Sequence, residues 1–318
     1  MSEPEVIVEV VDGIGRLRLN RPRAINALTL GMIRTIVAAL DDFAADDAVR
    51  RVELTGSGDR GLCAGADVRA LRELILAGGD PMPFFSSEYT LNHRILTYPK
   101  PYCAVMTGVT MGGGLGLSVH GSDRVVTATS RLAMPETQIG LFPDVLMSWH
   151  LAWMPAEVGT YLALTGSAIN AADALWLRLA DRGEGPLPEP ELARDHAWIA
   201  DCYAGDDAAE IIGRLSEHPH PKARETAADL RTKCPLSVCV SLEALRRARS
   251  MTSLPPLIAQ ELVLAKAMAT GPDFAEGVRA QLVDRDRQPR WTHGSVEEVT
   301  RADVLACFGE KGWGLHTA

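Results

Sequence analysis

Five of the nine residues from Gly108 to Gly116 are glycine, and Gly112, Gly113 and Gly114 are consecutive. The run lies between two apolar stretches, Tyr102–Met106 and Leu115–Val119. Three glycines together remove every β-carbon where the backbone must face something closely. The segment therefore reads as a buried strand, a turn over 108–114 and a helix opening at Leu115. Gly61-Leu62-Cys63-Ala64-Gly65-Ala66-Asp67 repeats the figure: it follows a strand over 51–55 and opens a helix from Ala66. Amides at a helix start are free to donate, so both turns can offer N–H groups to a ligand. Taken alone, the second turn needs no ligand.

The same alternation runs through the first half. Val6–Val11 and Leu17–Leu19 read as strands joined by a turn at Gly13. A helix over 29–43 carries Met32, Ile33, Ile36, Val37 and Leu40 at helical spacing. Arg124–Thr127 is a further strand, and beyond Trp149 the strand pattern ends. Proline-marked breaks at Pro186–Pro190 and His218–Pro221 separate helices. The expectation is an α/β fold with a largely parallel sheet over residues 1–185 and a mainly helical region over 186–318.

Net charge is −9, from 32 basic and 41 acidic residues, which argues against a basic nucleic-acid face. It leaves room for an anionic ligand held by local cations and helix N-termini. No apolar run is long enough to span a bilayer. Met1-Ser2-Glu3-Pro4-Glu5 lacks the apolar core of a signal segment and is acidic, so the expected compartment is the cytoplasm. Six scattered cysteines without a C-x-x-C pair read as reduced core residues.

Met134-Pro135-Glu136 to Pro143-Asp144 places two carboxylates in an apolar, proline-bounded stretch. Desolvation there raises a carboxyl toward the range of a useful base or nucleophile. For Asp144, capping a helix is an almost equal reading; for Glu136 the catalytic one is favoured. The glycine run is neither a Walker A loop, lacking Lys-Ser or Lys-Thr, nor G-x-G-x-x-G. Ser118 lacks the closing glycine of a nucleophile elbow. Cys63, His120 and His218-Pro219-His220 are better explained as packed or loop residues than as a nucleophile, a base or metal ligands.

Taken in order, Asn20-Arg21-Pro22, Ala24–Leu28, Ala64–Asp67, Lys100-Pro101, the triple glycine and Met134-Pro135-Glu136 resemble the crotonase superfamily of enoyl-CoA hydratases and isomerases. The resemblance spans essentially the whole chain and implies a repeated ββα spiral core. It also implies an acyl-CoA substrate, with no cofactor beyond the coenzyme A that the substrate carries. Amides of Ala66 and Gly113 would form an oxyanion hole, with Asn26 and Ala64 in the segments that cradle CoA. Assembly as a homotrimer or a pair of trimers is implied too.

Hydratases of the family carry one glutamate two residues after the triple glycine and another twenty residues later. Here those positions are Gly116 and Glu136. Glu88–Asn92, Leu117–Gly121, Gly140–Asp144 and the Asp273–Ala280 ending instead resemble the family's hydroxyisobutyryl-CoA hydrolases. That likeness implies a thioester hydrolase with Glu136 as attacking carboxylate or general base. Asp144 would be its partner toward the substrate hydroxyl or water, and Glu88 would close the pocket. Leu146 and Met147 depart from the small residues of the hydrolase pattern, which bears on the acyl group. An enoyl-CoA hydratase or isomerase is the alternative. A non-catalytic acyl-CoA binder ranks third, since it would need no buried carboxylates.

Overall fold

A computed structural model describes residues 3–310. Met1 and Ser2, part of the acidic start, lie outside them. Six strands form one sheet: β1 (Val6–Val11), β2 (Ile14–Leu19), β3 (Arg51–Gly56), β4 (Tyr102–Met106), β6 (Asp123–Thr127) and β8 (Arg182–Glu184). They follow the order β1-β2-β3-β4-β6-β8, and only the β1–β2 hairpin is antiparallel. Val52, Leu54, Ala104, Met106, Val125 and Val126 are fully buried, as a parallel sheet covered on both faces requires. The Leu30–Ala45 helix, capped by the Thr29 hydroxyl accepting from Met32 N, packs Ile33, Ile36 and Leu40 into this core. Each such burial contributes about 1.5–3 kcal/mol.

Two short strands, β5 (Val109–Met111) and β7 (Arg131–Ala133), form a separate parallel pair. β5 falls inside the segment read as a turn, and the helix behind it begins at Gly113 rather than Leu115. Gly112, at φ 50°, makes the reversal alone, so the next glycines are released to the helix. β8 corrects the expectation that strands end at Trp149. It has three exposed residues at the sheet edge, too few to show a period. From Leu192 to Cys307 the regular elements are helices and helical turns. The Leu254–Ala269 helix of this region packs against the Met82–Leu96 helix of the N-terminal part.

Candidate active site

The two small-residue turns meet. Gly65 has φ 98°, and a β-carbon there would stand 3.4 Å from Gly113 N. Ala66 bridges Leu28: Leu28 N donates to Gly65 O at 2.8 Å and Asp67 N to Leu28 O at 2.9 Å. The Ala66 amide itself has no acceptor among the described residues. Nor does Gly113 N, which starts its helix and has no preceding turn to bond. Two adjacent turns thus offer two uncommitted N–H groups.

Carboxyls flank the same glycines. A β-carbon on Gly112 would lie 2.9 Å from Glu136 Oε1, and one on Gly113 would collide with Glu88 Oε1. Glu88, Glu136 and Asp144 are all buried. Glu88 Oε1 and Glu136 Oε2 have no hydrogen-bond partner, whereas Asp144 Oδ2 accepts the Tyr89 hydroxyl at 2.7 Å. Glu88, Tyr89 and Asn92 share the Met82–Leu96 helix at one-turn spacing, and Asn92 leaves both amide atoms unpartnered. Gly116 faces that amide: a β-carbon there would stand 2.7 Å from Asn92 Nδ2 and 2.8 Å from Val145 Cβ.

A fourth carboxyl, not singled out in the sequence, completes the group. Glu261 is fully buried in the Leu254–Ala269 helix, where it accepts from Leu146 N at 2.8 Å and from the Ser148 hydroxyl. A signal for it was present. Leu257, Leu264, Ala265 and Met268 mark the buried stripe, and Glu261 falls on that stripe one turn from Leu257 and from Ala265.

Burial raises all four carboxyls above their usual range, and for Glu88, Glu136 and Glu261 neighbouring carboxylates add to it. Glu88 and Glu136 are pushed well up, first by desolvation and then by the Asp144 charge. Asp144 rises to about 6 through desolvation, against the opposing pull of the Tyr89 hydrogen bond. Glu261 rises to about 8, chiefly by desolvation, although its Ser148 bond opposes this. A folded chain therefore keeps protons here that the unfolded chain has released above about pH 4. More protons on the folded state mean that these four groups make stability fall as pH rises between roughly 4 and 8. In the lower part of that window, below about pH 6.5, buried His120 and His150, lowered to about 4 and about 3 chiefly by desolvation, act in the opposite sense. Arg-paired carboxyls such as Glu243 and Glu276 are lowered, so their effect falls below that window. Asp144→Asn keeps an acceptor for Tyr89 but removes one of the crowded charges. Its Tm at pH 8 should exceed that of the unaltered chain by a few degrees, with a smaller gap at pH 5. Thermal unfolding at both pH values checks this, and a lower Tm for the variant at pH 8 would contradict it.

Other expected residues stand as follows. Asn26 is buried at φ 53°; its Nδ2 donates to Ser57 O, Gly61 O and Leu62 O, and its Oδ1 accepts from Arg21 N. Its side chain is thus spent on pinning the loop that precedes the Ala64–Ala66 turn. Ala64 is exposed beside that turn. All six cysteines are free and five are buried; burial pushes the Cys63 thiol up to about 12, far from a nucleophile's range. Among the described residues no three His, Cys, Asp or Glu side chains converge as a metal site would need. No helix of these residues is long and apolar enough to cross a membrane.

Residues 14–183 and 181–308 match the enoyl-CoA hydratase/isomerase family. The chain belongs to that family. Relatives over nearly the full length include 3-hydroxyisobutyryl-CoA hydrolase, mitochondrial, of Gallus gallus, 34% identical over 98% of this chain and 90% of that protein. The human protein of the same name is 34% identical over 97% and 89%. Solved structures of the family superpose closely. A carnitinyl-CoA dehydratase from Mycobacterium thermoresistibile has TM-score 0.92 at 40% identity, covering 98% of both chains. An enoyl-CoA hydratase from Rhodobacter sphaeroides has TM-score 0.91 at 35% identity, covering 96% of this chain and 97% of that one. The crotonase resemblance and the α/β spiral expectation are therefore borne out. The cytoplasmic expectation is not: the hydrolase relatives are named as mitochondrial proteins. An address is read by receptors, so the composition of the folded body does not carry it.

Proposed function

We propose that this chain hydrolyses the thioester of a short branched or β-hydroxy acyl-CoA, with 3-hydroxyisobutyryl-CoA as the type substrate. One observation carries the reading: Glu136 is buried beside two free amides with the buried Asp144 close enough to raise its carboxyl, while Gly116 has no space for a second hydratase glutamate. Adding water to a C=C bond uses two carboxylates around that water; here the space beyond Gly116 holds the Asn92 amide and Val145. The relatives' names divide between hydrolase and hydratase or dehydratase, and these residues favour hydrolase.

In this reading the thioester oxygen accepts from Ala66 N–H and Gly113 N–H. Each such donor is worth roughly 3–4 kcal/mol to the developing oxyanion. Glu136 attacks the carbonyl carbon or takes the proton of a water that does. The C–S bond breaks, the CoA thiolate leaves and takes up a proton, and water completes the carboxylic acid. Asp144, held by Tyr89, engages the substrate hydroxyl or the water, and Glu88 closes the pocket. Coenzyme A enters only as part of the substrate.

A panel of acyl-CoAs read by free-thiol release tests this. β-Hydroxy and branched C3–C4 acyl groups should turn over faster than straight-chain acyl groups of equal length. Crotonyl-CoA should lose its enoyl absorbance slowly, if at all. Hydration of crotonyl-CoA at a rate matching the best thiol release would put the hydratase reading first.

A further inference from the structure

Val145 and Leu146, directly after Asp144, are consecutive residues in the left-handed region, at φ 51° and 61°. Residues with a β-carbon leave that region unless neighbours hold them, and a β-branched valine is the least at ease there. Two buried side chains engage the backbone of this pair. Glu261 Oε2 accepts the Leu146 N–H at 2.8 Å, and its other oxygen accepts the Ser148 hydroxyl. His120 Nε2 lies 2.8 Å from the Val145 carbonyl oxygen. A carbonyl only accepts, so Nε2 carries the proton and the bare Nδ1 faces His150 Nε2 at 3.4 Å.

We propose that Glu261 is a positioning residue: with His120 it clamps the left-handed Val145–Leu146 pair and thereby aims the Asp144 carboxylate at the substrate. The inference rests on the hydrolase reading above, in which Asp144 touches substrate. Tyr89 fixes the Asp144 side chain through its hydroxyl, and the clamp fixes the backbone that follows. Packing alone does not account for a carboxyl here. A leucine would continue the buried stripe of Leu257, Leu264 and Met268 without burying an ionisable group near Asp144 and Glu88. The clamp also ties the C-terminal helical region to the chemistry, since 115 residues separate Leu146 from Glu261.

The test compares Glu261→Gln, which keeps an oxygen for Leu146 N–H, with Glu261→Leu, which does not. Thiol release should lose roughly tenfold or more in kcat in Glu261→Leu, with KM changed less than about threefold. Glu261→Gln should stay within about threefold of the unaltered chain in kcat. In an Asp144→Asn background the leucine change should add little, because residues acting through one another are not additive. Leu146→Gly should restore part of the loss in Glu261→Leu, since glycine takes the left-handed conformation without a clamp. Hydrogen exchange at the Leu146 amide should quicken in Glu261→Leu only, a readout that does not depend on turnover.

Equal losses in both Asp144 backgrounds, or a glutamine variant as impaired as the leucine one, would overturn the proposal. So would a Glu261→Leu chain with unchanged kcat. Should Glu261→Leu fail to fold, repair by Leu146→Gly supports the clamp, and failure of that repair counts against it. An unaltered chain that releases no thiol overturns the hydrolase reading itself, and with it the role given to Asp144. Quickened Leu146 exchange would then still mark the clamp as a structural device.

Discussion

Glu136→Gln should lower kcat for thiol release at least roughly 10²-fold, the usual scale for general acid–base groups, while the protein still binds acyl-CoA. Glutamine keeps the shape of the side chain beside Gly112 but can neither take a proton nor attack a carbonyl as a carboxylate can. The fold should not suffer. Glu136 Oε2 has no hydrogen-bond partner to lose, and glutamine removes an ionisable group whose charged form desolvation and the Asp144 and Glu88 charges disfavour. A Tm at pH 8 equal to or above that of the unaltered chain is therefore part of the expectation. A structural Glu136 would give the reverse: a lower Tm, weaker ligand binding and preserved turnover per folded molecule. Measuring kcat, KM and Tm on the same sample separates the two.

Gly116→Glu should abolish thiol release without creating a hydratase. Sequence comparison alone suggests the opposite, since this change writes the missing hydratase glutamate back into the chain. The packing decides against it. Even a β-carbon at 116 would stand 2.7 Å from Asn92 Nδ2 and 2.8 Å from Val145 Cβ, in a fully packed region. Overpacking of this kind costs about 1–3 kcal/mol, and the new carboxyl would join four that already repel one another. We expect a Tm lower by roughly 5 °C or more and crotonyl-CoA hydration no faster than in the unaltered chain. A folded variant with marked hydratase activity would show that the Asn92–Val145 wall yields, and the steric argument would fall.

Much of the sheet could be read from the chain because its strands announce themselves chemically. Val6–Val11 is β-branched at every position but Glu9, and Tyr102–Met106 is an unbroken apolar run between a proline and a glycine turn. The short strands could not be read. β5, β7 and β8 have three residues each, and their pairing is set by neighbours brought from elsewhere rather than by any local period. The helix start at Gly113 was missed because a glycine triplet reads as turn, although Gly112 alone supplies the left-handed residue.

The site divides along the same line. Glu88, Glu136 and Asp144 sit in segments whose local residues carry the crotonase resemblance, so each was found by position. Their common burial, and the Tyr89 hydroxyl on Asp144, belong to the tertiary structure. Glu261 carries no motif, yet a glutamate on the apolar stripe of Leu254–Ala269 is an anomaly that periodicity alone could have flagged. Leu146 and Met147, read from the sequence as bulk beside the pocket, are buried. Leu146 is instead notable for its left-handed backbone and for the carboxyl that holds its amide.

The central claim is that buried carboxyls beside two free amides cleave a thioester rather than add or remove water at a double bond. Incubating 3-hydroxyisobutyryl-CoA with the unaltered chain, and following free thiol and enoyl absorbance in the same sample, tests it most directly. The account predicts thiol rising to the amount of substrate supplied, with no enoyl-CoA formed at any time. Enoyl-CoA accumulating while the thioester stays intact would contradict it.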